Sequence, residues 1–228
     1  MPVTDDTTRA NADEIEKALS LLIHDLRTPL GVALGYVRLI KDDRLGTPEE
    51  REKALSRAIA ALGTMWRLCE DADGFLSHYS EAPQAAMPPR MLVDRLSGLL
   101  GTARVQHPAN GMRERTTLRS RAGSSQLAEA IECAASLLAR TGSANVASDP
   151  VTLAISESDG ELHVFARRGA TAGDMPEFDT LVDPWRKGYG LSLPLACRVI
   201  AQAGGRLRTA SAAPGTVLIS FPVEDVTA

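Results

Sequence analysis

The most reactive pattern in the chain is His24-Asp25-Leu26-Arg27-Thr28-Pro29, set within LSLLIHDLRTPLGVALGYV, the stretch from Leu19 to Val37. A neutral imidazole offers a nucleophilic nitrogen near physiological pH. A carboxylate beside it can hold one ring nitrogen as N–H and raise the nucleophilicity of the other. Asp25 is that carboxylate. Thr28, one helical turn on, can hydrogen-bond or position a water near the same ring. Pro29 has no N–H for the carbonyl of Asp25, so a helix here should bend about one turn past the histidine. The competing reading is a solvated surface histidine next to an ordinary helix proline.

Those residues need a helix to position them, and the flanking sequence supplies one. From Asp13 to about Asp43, Ile15, Leu19, Leu22, Leu26, Leu30, Ala33, Val37 and Ile40 recur every three or four positions, as in the seam of a bundled helix. His24 is two residues from both Leu22 and Leu26, which puts it roughly opposite that seam. Arg27, Thr28, Gly31 and Gly35 share its face and leave room for another molecule. RLGTPEER then breaks the pattern. Thr47, Pro48 and Glu50 restart a helix with a capping box and a proline at the first position. A second pattern, Leu55, Ile59, Leu62, Trp66 and Cys69, runs to about Leu76. Two such helices on a short loop make an antiparallel hairpin, which cannot bury both seams alone. Two copies pairing into a four-helix bundle solve this, so a homodimer is expected.

The chain has 228 residues, 44% hydrophobic and 24% charged, an ordinary globular composition. A net charge of −4 provides no long-range attraction for nucleic acid or an anionic membrane. Three dispersed cysteines, Cys69, Cys133 and Cys197, argue against a disulfide framework or a zinc site, and each reads as a small buried apolar residue in a reducing, cytoplasmic compartment. The basic run MRERTTLRSR reads as a solvated loop. No apolar run reaches the length of a membrane span, and the polar start is not a signal peptide.

The expected organisation is a disordered tail over residues 1–12 with no sensor of its own, the hairpin over 13–80, a Pro- and Ala-rich linker, and a second domain over 90–228. In that domain, PPRMLVDRLSGLLG, SSQLAEAIECAASLLART and GLSLPLACRVIAQAGG read as helices. Two strand pairs turn at Asp159-Gly160 and near Pro214-Gly215. The fold class is α+β: a helical hairpin, then an α/β sandwich with a three-to-five-stranded sheet covered on one face by helices.

HDLRTPL resembles the phosphoacceptor box of sensor histidine kinases, matching it over all seven positions. The resemblance implies that His24 is the phosphorylated histidine, Asp25 its acidic partner, and Thr28 the residue that assists dephosphorylation. It also implies docking of a receiver domain over Arg27, Gly31 and Gly35. From about Leu92 the chain resembles the ATP-binding domain of the same family. Gly188 and Gly190, ahead of a helix, match its glycine box, in which backbone N–H groups cradle phosphates. Two other elements depart from the pattern. The helix that normally carries a magnesium-holding Asn places Cys133 and Leu137 there, neither of them a ligand for a hard cation. The adenine-reading Asp is replaced by Ala166, Arg167 or Arg168 in FARRGATAG.

The glycine box is therefore read as vestigial, and the chain resembles the dimeric histidine phosphotransferases. That resemblance implies transfer from the aspartyl phosphate of one receiver to His24 and on to the aspartate of another, with magnesium held by the receiver. Response-regulator receivers and a hybrid histidine kinase as donor are the implied partners. Two alternatives stand: an active cytosolic histidine kinase with an atypical nucleotide site, and a non-catalytic pseudokinase that sequesters a response regulator.

Overall fold

The computed structural model describes residues 4–77, 85–106, 116–139, 150–168, 176–186 and 189–225, with backbone alone for residues 4–11 and 77. The chain divides into two compact units, Met1–Ser77 and His78–Ala228.

The first unit is a hairpin of α1 (Thr4–Lys41) and α2 (Pro48–Ser77). α1 begins well before Asp13, so residues 4–12, expected as a disordered tail, are helical. The physical reason is continuity: no Gly or Pro interrupts the sequence from Thr4 to Asp25, and Ala10, Ala12, Glu14 and Glu16 are good helix formers. The restart at α2 follows the expected chemistry. The amide of Glu50 donates to Thr47 Oγ1 at 3.2 Å, while Glu50 Oε2 accepts from the amides of Thr47 at 3.2 Å and Gly46 at 2.8 Å.

The most buried positions between the two helices are mostly small residues, with Phe75 buried near the end of α2. Ala18 and Ala33 on α1 and Ala54, Ala58 and Ala61 on α2 are buried, as is Pro29. Small side chains let helix axes approach closely. Arg57 fixes the register across the hairpin: its Nη1 donates to Tyr36 Oη at 2.6 Å, and its guanidinium lies 5.6 Å from that ring's centroid. Of the seams expected from the sequence, Ile15, Leu22, Leu26 and Ile40 are half-buried beside this contact, and the other large apolar residues stand outside it. Leu19, Leu30, Val37, Leu55, Ile59, Leu62 and Trp66 are exposed, as are Ile23 and Leu34.

The second unit contains β1 (Ala85–Met87), α3 (Pro89–Leu100), β2 (Val105–Gln106), β3 (Thr116–Ser120), α4 (Ser124–Leu138), β4 (Val151–Ser158) and β5 (Glu161–Arg168). β6 (Thr180–Leu181), α5 (Ser192–Gln202), β7 (Arg206–Thr209), β8 (Val217–Pro222) and β9 (Glu224–Asp225) complete it. A six-stranded sheet has the order β2-β4-β5-β8-β7-β6, with β2 parallel to β4 and all other neighbours antiparallel. One face is apolar and buried: Leu153 and Ile155, Leu162 and Val164, Ile219 and Phe221 pack against Leu92, Leu96, Leu127, Ile131, Val199 and Ile200 of the three helices. This is the alternation of an antiparallel sheet covered on one side, and it is the α/β sandwich expected from the sequence, with six strands rather than three to five because the two-residue β2 and β6 add to its edges.

The turn between β4 and β5 falls on Asp159 and Gly160, both at positive φ, 54° and 77°. That is the twist-matched hairpin turn, tolerated by Asp and natural for Gly. α5 ends on the expected glycines; a Cβ at Gly205 would lie 2.5 Å from the Phe221 ring and 2.6 Å from Ile200. Three expectations are corrected. Ala85–Met87, in the linker, forms a strand antiparallel to β3, because its extended backbone finds a paired edge there. Part of MRERTTLRSR is β3 itself: Thr116, Leu118 and Ser120 alternate inward and are buried, so period two outweighs charge over those positions. Cys69 is exposed rather than buried.

Candidate functional site

His24 stands on the outside of α1 with its side chain 72% exposed, while Asp25 is three-quarters covered at 24%. His24 Nδ1 and Asp25 Oδ1 are 2.9 Å apart. Asp25 is held toward the hairpin interior and the imidazole is held outward, so the shared proton sits on Nδ1 and donates to the carboxylate. Nε2 is then the bare nucleophilic nitrogen, and it points to solvent. The carboxylate also offsets positive charge that develops on the ring when Nε2 forms a new bond.

Arg27, Thr28, Gly31 and Gly35 are all exposed. A Cβ added at Gly31 or Gly35 would meet nothing within 4 Å. The face along the helix from His24 is therefore shallow and open, as the sequence implied. α1 runs through Pro29 as one helix.

The two faces of the hairpin separate cleanly. At about 100° per residue, Leu19, Ile23, Leu30 and Val37 sit to one side of the α1 contact line marked by Ala18, Pro29 and Ala33. Leu55, Ile59, Leu62 and Trp66 are displaced in the same rotational sense from the α2 line marked by Ala54, Ala58 and Ala61. Because the helices run antiparallel, equal rotational senses place both stripes on one face of the hairpin. His24 is displaced in the opposite sense and lies on the other face.

The same geometry adds α2 residues to the His24 face, which reading α1 alone had missed. Ala60, Gly63 and Arg67 are exposed on that side, and a Cβ at Gly63 would meet nothing within 4 Å. Thr64 Oγ1 donates to the carbonyl of Ala60 at 3.1 Å and accepts from Arg67 Nη2 at 3.3 Å. Continuing the antiparallel register set by Tyr36 and Arg57 puts Arg67 about 3 Å and Thr64 about 7.5 Å along the axis from the height of His24. The signal was available as the polar phase of the α2 wheel, opposite in sense to the Leu55–Trp66 stripe.

In the second unit, Cys133 and Leu137 of α4 are half-buried and pack against the core; Cys133 Sγ lies 3.9 Å from the carbonyl of Ser192 at the start of α5. Burial, then the nearby Cys133 and Asp183, push the Cys197 thiol of α5 up to about 12. Near the end of β5, Ala166 is fully buried and Arg167 and Arg168 are half-buried. Gly190 has φ of 59° just ahead of α5; Gly188 and residues 169–175 of the preceding loop lie outside the described residues. Among the described residues no cluster of His, Cys, Asp and Glu could hold a metal ion. No described helix is long and apolar enough to cross a membrane.

Residues 14–73 match the family of His Kinase A (phospho-acceptor) domains. That segment, the α1–α2 hairpin, is similar to the phospho-acceptor domain of histidine kinases and contains His24, Asp25 and Thr28. Domains of that family dimerise and transfer phosphate to response regulators. The histidine kinase AdeS of Acinetobacter baumannii shares the fold across both units, at 11% identity and TM-score 0.52, with 90% of this chain and 98% of that one covered. Two further similar structures are full-length ShkA solved with AMPPNP and a histidine kinase from Burkholderia phymatum STM815. ShkA is 19% identical with TM-score 0.48 over 93% of this chain and 47% of that one. The Burkholderia protein is 18% identical with TM-score 0.38 over 99% and 100%. A comparison with curated proteins finds no match.

Proposed function

We propose that the chain is a dimeric histidine phosphotransferase that relays a phosphoryl group between receiver-domain aspartates through His24, without using ATP. The observation that carries this reading is the imidazole itself: exposed, anchored at Nδ1 by Asp25, and open at Nε2. In the first transfer the lone pair of Nε2 attacks the phosphorus of an aspartyl phosphate. The P–O bond to the donor aspartate breaks, an N–P bond forms, and the donor carboxylate is regenerated. In the second transfer an acceptor carboxylate attacks the same phosphorus and the N–P bond breaks. Nδ1 keeps its proton throughout, donated to Asp25. Magnesium, brought in the acidic pocket of the receiver, offsets charge on the transferring group. This chain contributes position, and Thr28, one turn on, borders the reacting atoms.

The receiver docks on the His24 face over Arg27, Gly31 and Gly35, with Gly63 and Arg67 of α2 beside them. A second copy covers the opposite apolar face, completing a four-helix bundle that leaves both histidines outward. Two positions of the second unit support the ATP-free reading. α4 presents a thiol and an isobutyl group where an amide oxygen is needed, and β5 ends on a buried methyl and two cations where the adenine amino group needs an acceptor. Gly190, at positive φ ahead of α5, favours the rival reading of a kinase with an atypical site.

Two incubations separate the readings, each with His24→Ala as control. A phosphorylated receiver with magnesium is expected to label wild type alone, acid-labile as phosphohistidine, and a second receiver to remove the label. Labelling from γ-labelled ATP would overturn the ATP-free reading. Absence of label from any phosphorylated receiver in a panel, with the fold intact, would overturn the relay.

A further inference from the structure

The face of the six-stranded sheet turned away from the helices carries an apolar row that a merely solvated face has no use for. Pairing aligns Gln106 with Ala154, Ala154 with Phe165, Phe165 with Leu218, Leu218 with Arg208 and Arg208 with Leu181. These six residues form one line across all six strands, about 24 Å long at the usual strand spacing. Leu181 is 67% exposed, and Phe165 and Leu218 are partly exposed. The Phe178 ring lies beside the middle of the row, 5.8 Å from that of Phe165, and the His163 ring lies 6.0 Å from Phe165. An antiparallel sheet with one wet face normally alternates polar outward.

Arginines surround this row. Arg208 lies within it, Arg206 is two residues along the same strand and face, and Arg167 is two residues beyond Phe165. None of the three makes an ion pair or side-chain hydrogen bond among the described residues. Arg206 and Arg208 place two like charges about 7 Å apart along one strand face. Glu161 shares the face, but two strands over and two residues along from Arg206, roughly 12 Å away. Glu177 precedes Phe178. In a chain of net charge −4, this is a local cationic rim around an apolar line. That is the composition of an interface core, where aromatic residues and Arg are enriched.

We propose that this sheet face docks an acidic segment of a partner protein whose carboxylates meet Arg167, Arg206 and Arg208 while its apolar side chains cover Phe165, Leu218 and Leu181. Single-stranded nucleic acid fits less well. The Phe165 ring is flanked by Phe178 and His163, both tilted against it, so no open aromatic platform is left for a base to stack on.

The test titrates the full isotope-labelled chain with a short peptide of alternating acidic and Leu-Phe pairs. A version with lysines in place of the acids, and oligouridine, are titrated in parallel. The acidic peptide is expected to bind with amide shifts centred on Ala154, Phe165, Arg208 and Leu218. Reversing Arg206 and Arg208 together to Glu is expected to weaken binding about tenfold. Reversing Arg38 and Arg44 of the hairpin, or His24→Ala, leaves it unchanged. Both arginine pairs are exposed, and a thermal melt confirms that each variant folds. No binding, equal loss in the two reversals, shifts elsewhere, or preference for the lysine peptide or oligouridine would each overturn the proposal.

Discussion

Replacing Asp25 separates the role of the carboxylate from that of the nucleophile. The wild-type geometry fixes the His24 tautomer by one hydrogen bond of 2.9 Å between Nδ1 and a carboxylate that is itself three-quarters covered. A hydrogen bond to a charged group is worth roughly 1.5–3 kcal/mol. His24 is largely in water, so solvent competes and the low end, about 1.5 kcal/mol, applies. The bond strengthens as the ring gains positive charge in the transition state, so most of that energy is lost from the barrier rather than from binding. At 1.36 kcal/mol per decade, Asp25→Ala should slow single-turnover transfer from a phosphorylated receiver slightly more than tenfold. Asp25→Asn keeps an acceptor without its charge and should lose about half the energy, roughly fourfold in rate. Rapid-quench transfer at saturating receiver measures the rate, and nitrogen-resolved NMR of the imidazole reads the tautomer. An Asp25→Ala variant within twofold of wild type, or with an unchanged Nδ1–H population, would refute the reasoning.

Four further outcomes follow from the geometry. Gly31→Trp has open space around its Cβ, so the fold should survive while receiver-dependent transfer falls at least tenfold; intact transfer removes the docking site. Ile59→Asp with Leu62→Asp places two charges on the apolar face and should give a monomer in sedimentation; a dimer that persists puts the interface elsewhere. Gly205→Ala drives a methyl into Phe221 and Ile200 and should cost about 1–3 kcal/mol by denaturant titration, with no change expected in the hairpin unit. The unfolded Cys197 thiol ionises near 9 and the folded one near 12, so the folded state holds its proton across that window. The stability this gives is complete below pH 9 and falls by roughly 1.4 kcal/mol per pH unit toward 12, a slope that Cys197→Ala should remove. At pH 8 a thiol reagent should modify exposed Cys69 fast and Cys197 slowly.

The hairpin was legible because its signals are local. The Thr47–Glu50 capping box, the Gly-Pro break and the His-Asp adjacency each involve residues within one or two turns, and each has its expected geometry. The seam was only half legible. Periodicity marks an apolar stripe, but a hairpin destined for a bundle needs two contacts per helix, and the alanines that make the inner one carry little hydrophobic signal. Periodicity follows Leu and Ile and so traces mostly the outer stripes, which the hairpin alone leaves exposed. The second unit was legible as class rather than in detail. β2, β6 and β9 are two-residue strands that owe their existence to neighbours distant in sequence, as Thr116 and Thr117 to Asp225 and Glu224, and no local pattern announces them.

The division of the hairpin into opposite faces constrains function more than the histidine motif does alone. A nucleophile that must meet bulky partners in turn has to stay uncovered, while the apolar stripes of a marginal two-helix unit have to be covered. On a single helix with one continuous seam these demands conflict, since widening the apolar arc shrinks the free one. Here the alanine contact between α1 and α2 takes the middle of each helix at little cost in width. About a third of the α1 circumference remains for Leu19, Ile23, Leu30 and Val37, and another third for His24, Thr28, Gly31 and Gly35. In the proposed dimer, alanine at the inner seam is therefore what lets dimerisation and receiver access coexist. Enlarging one of those alanines, as in Ala58→Leu, would spread the helices and rotate the two outer faces toward each other, lowering transfer through a residue that touches neither the histidine nor the partner.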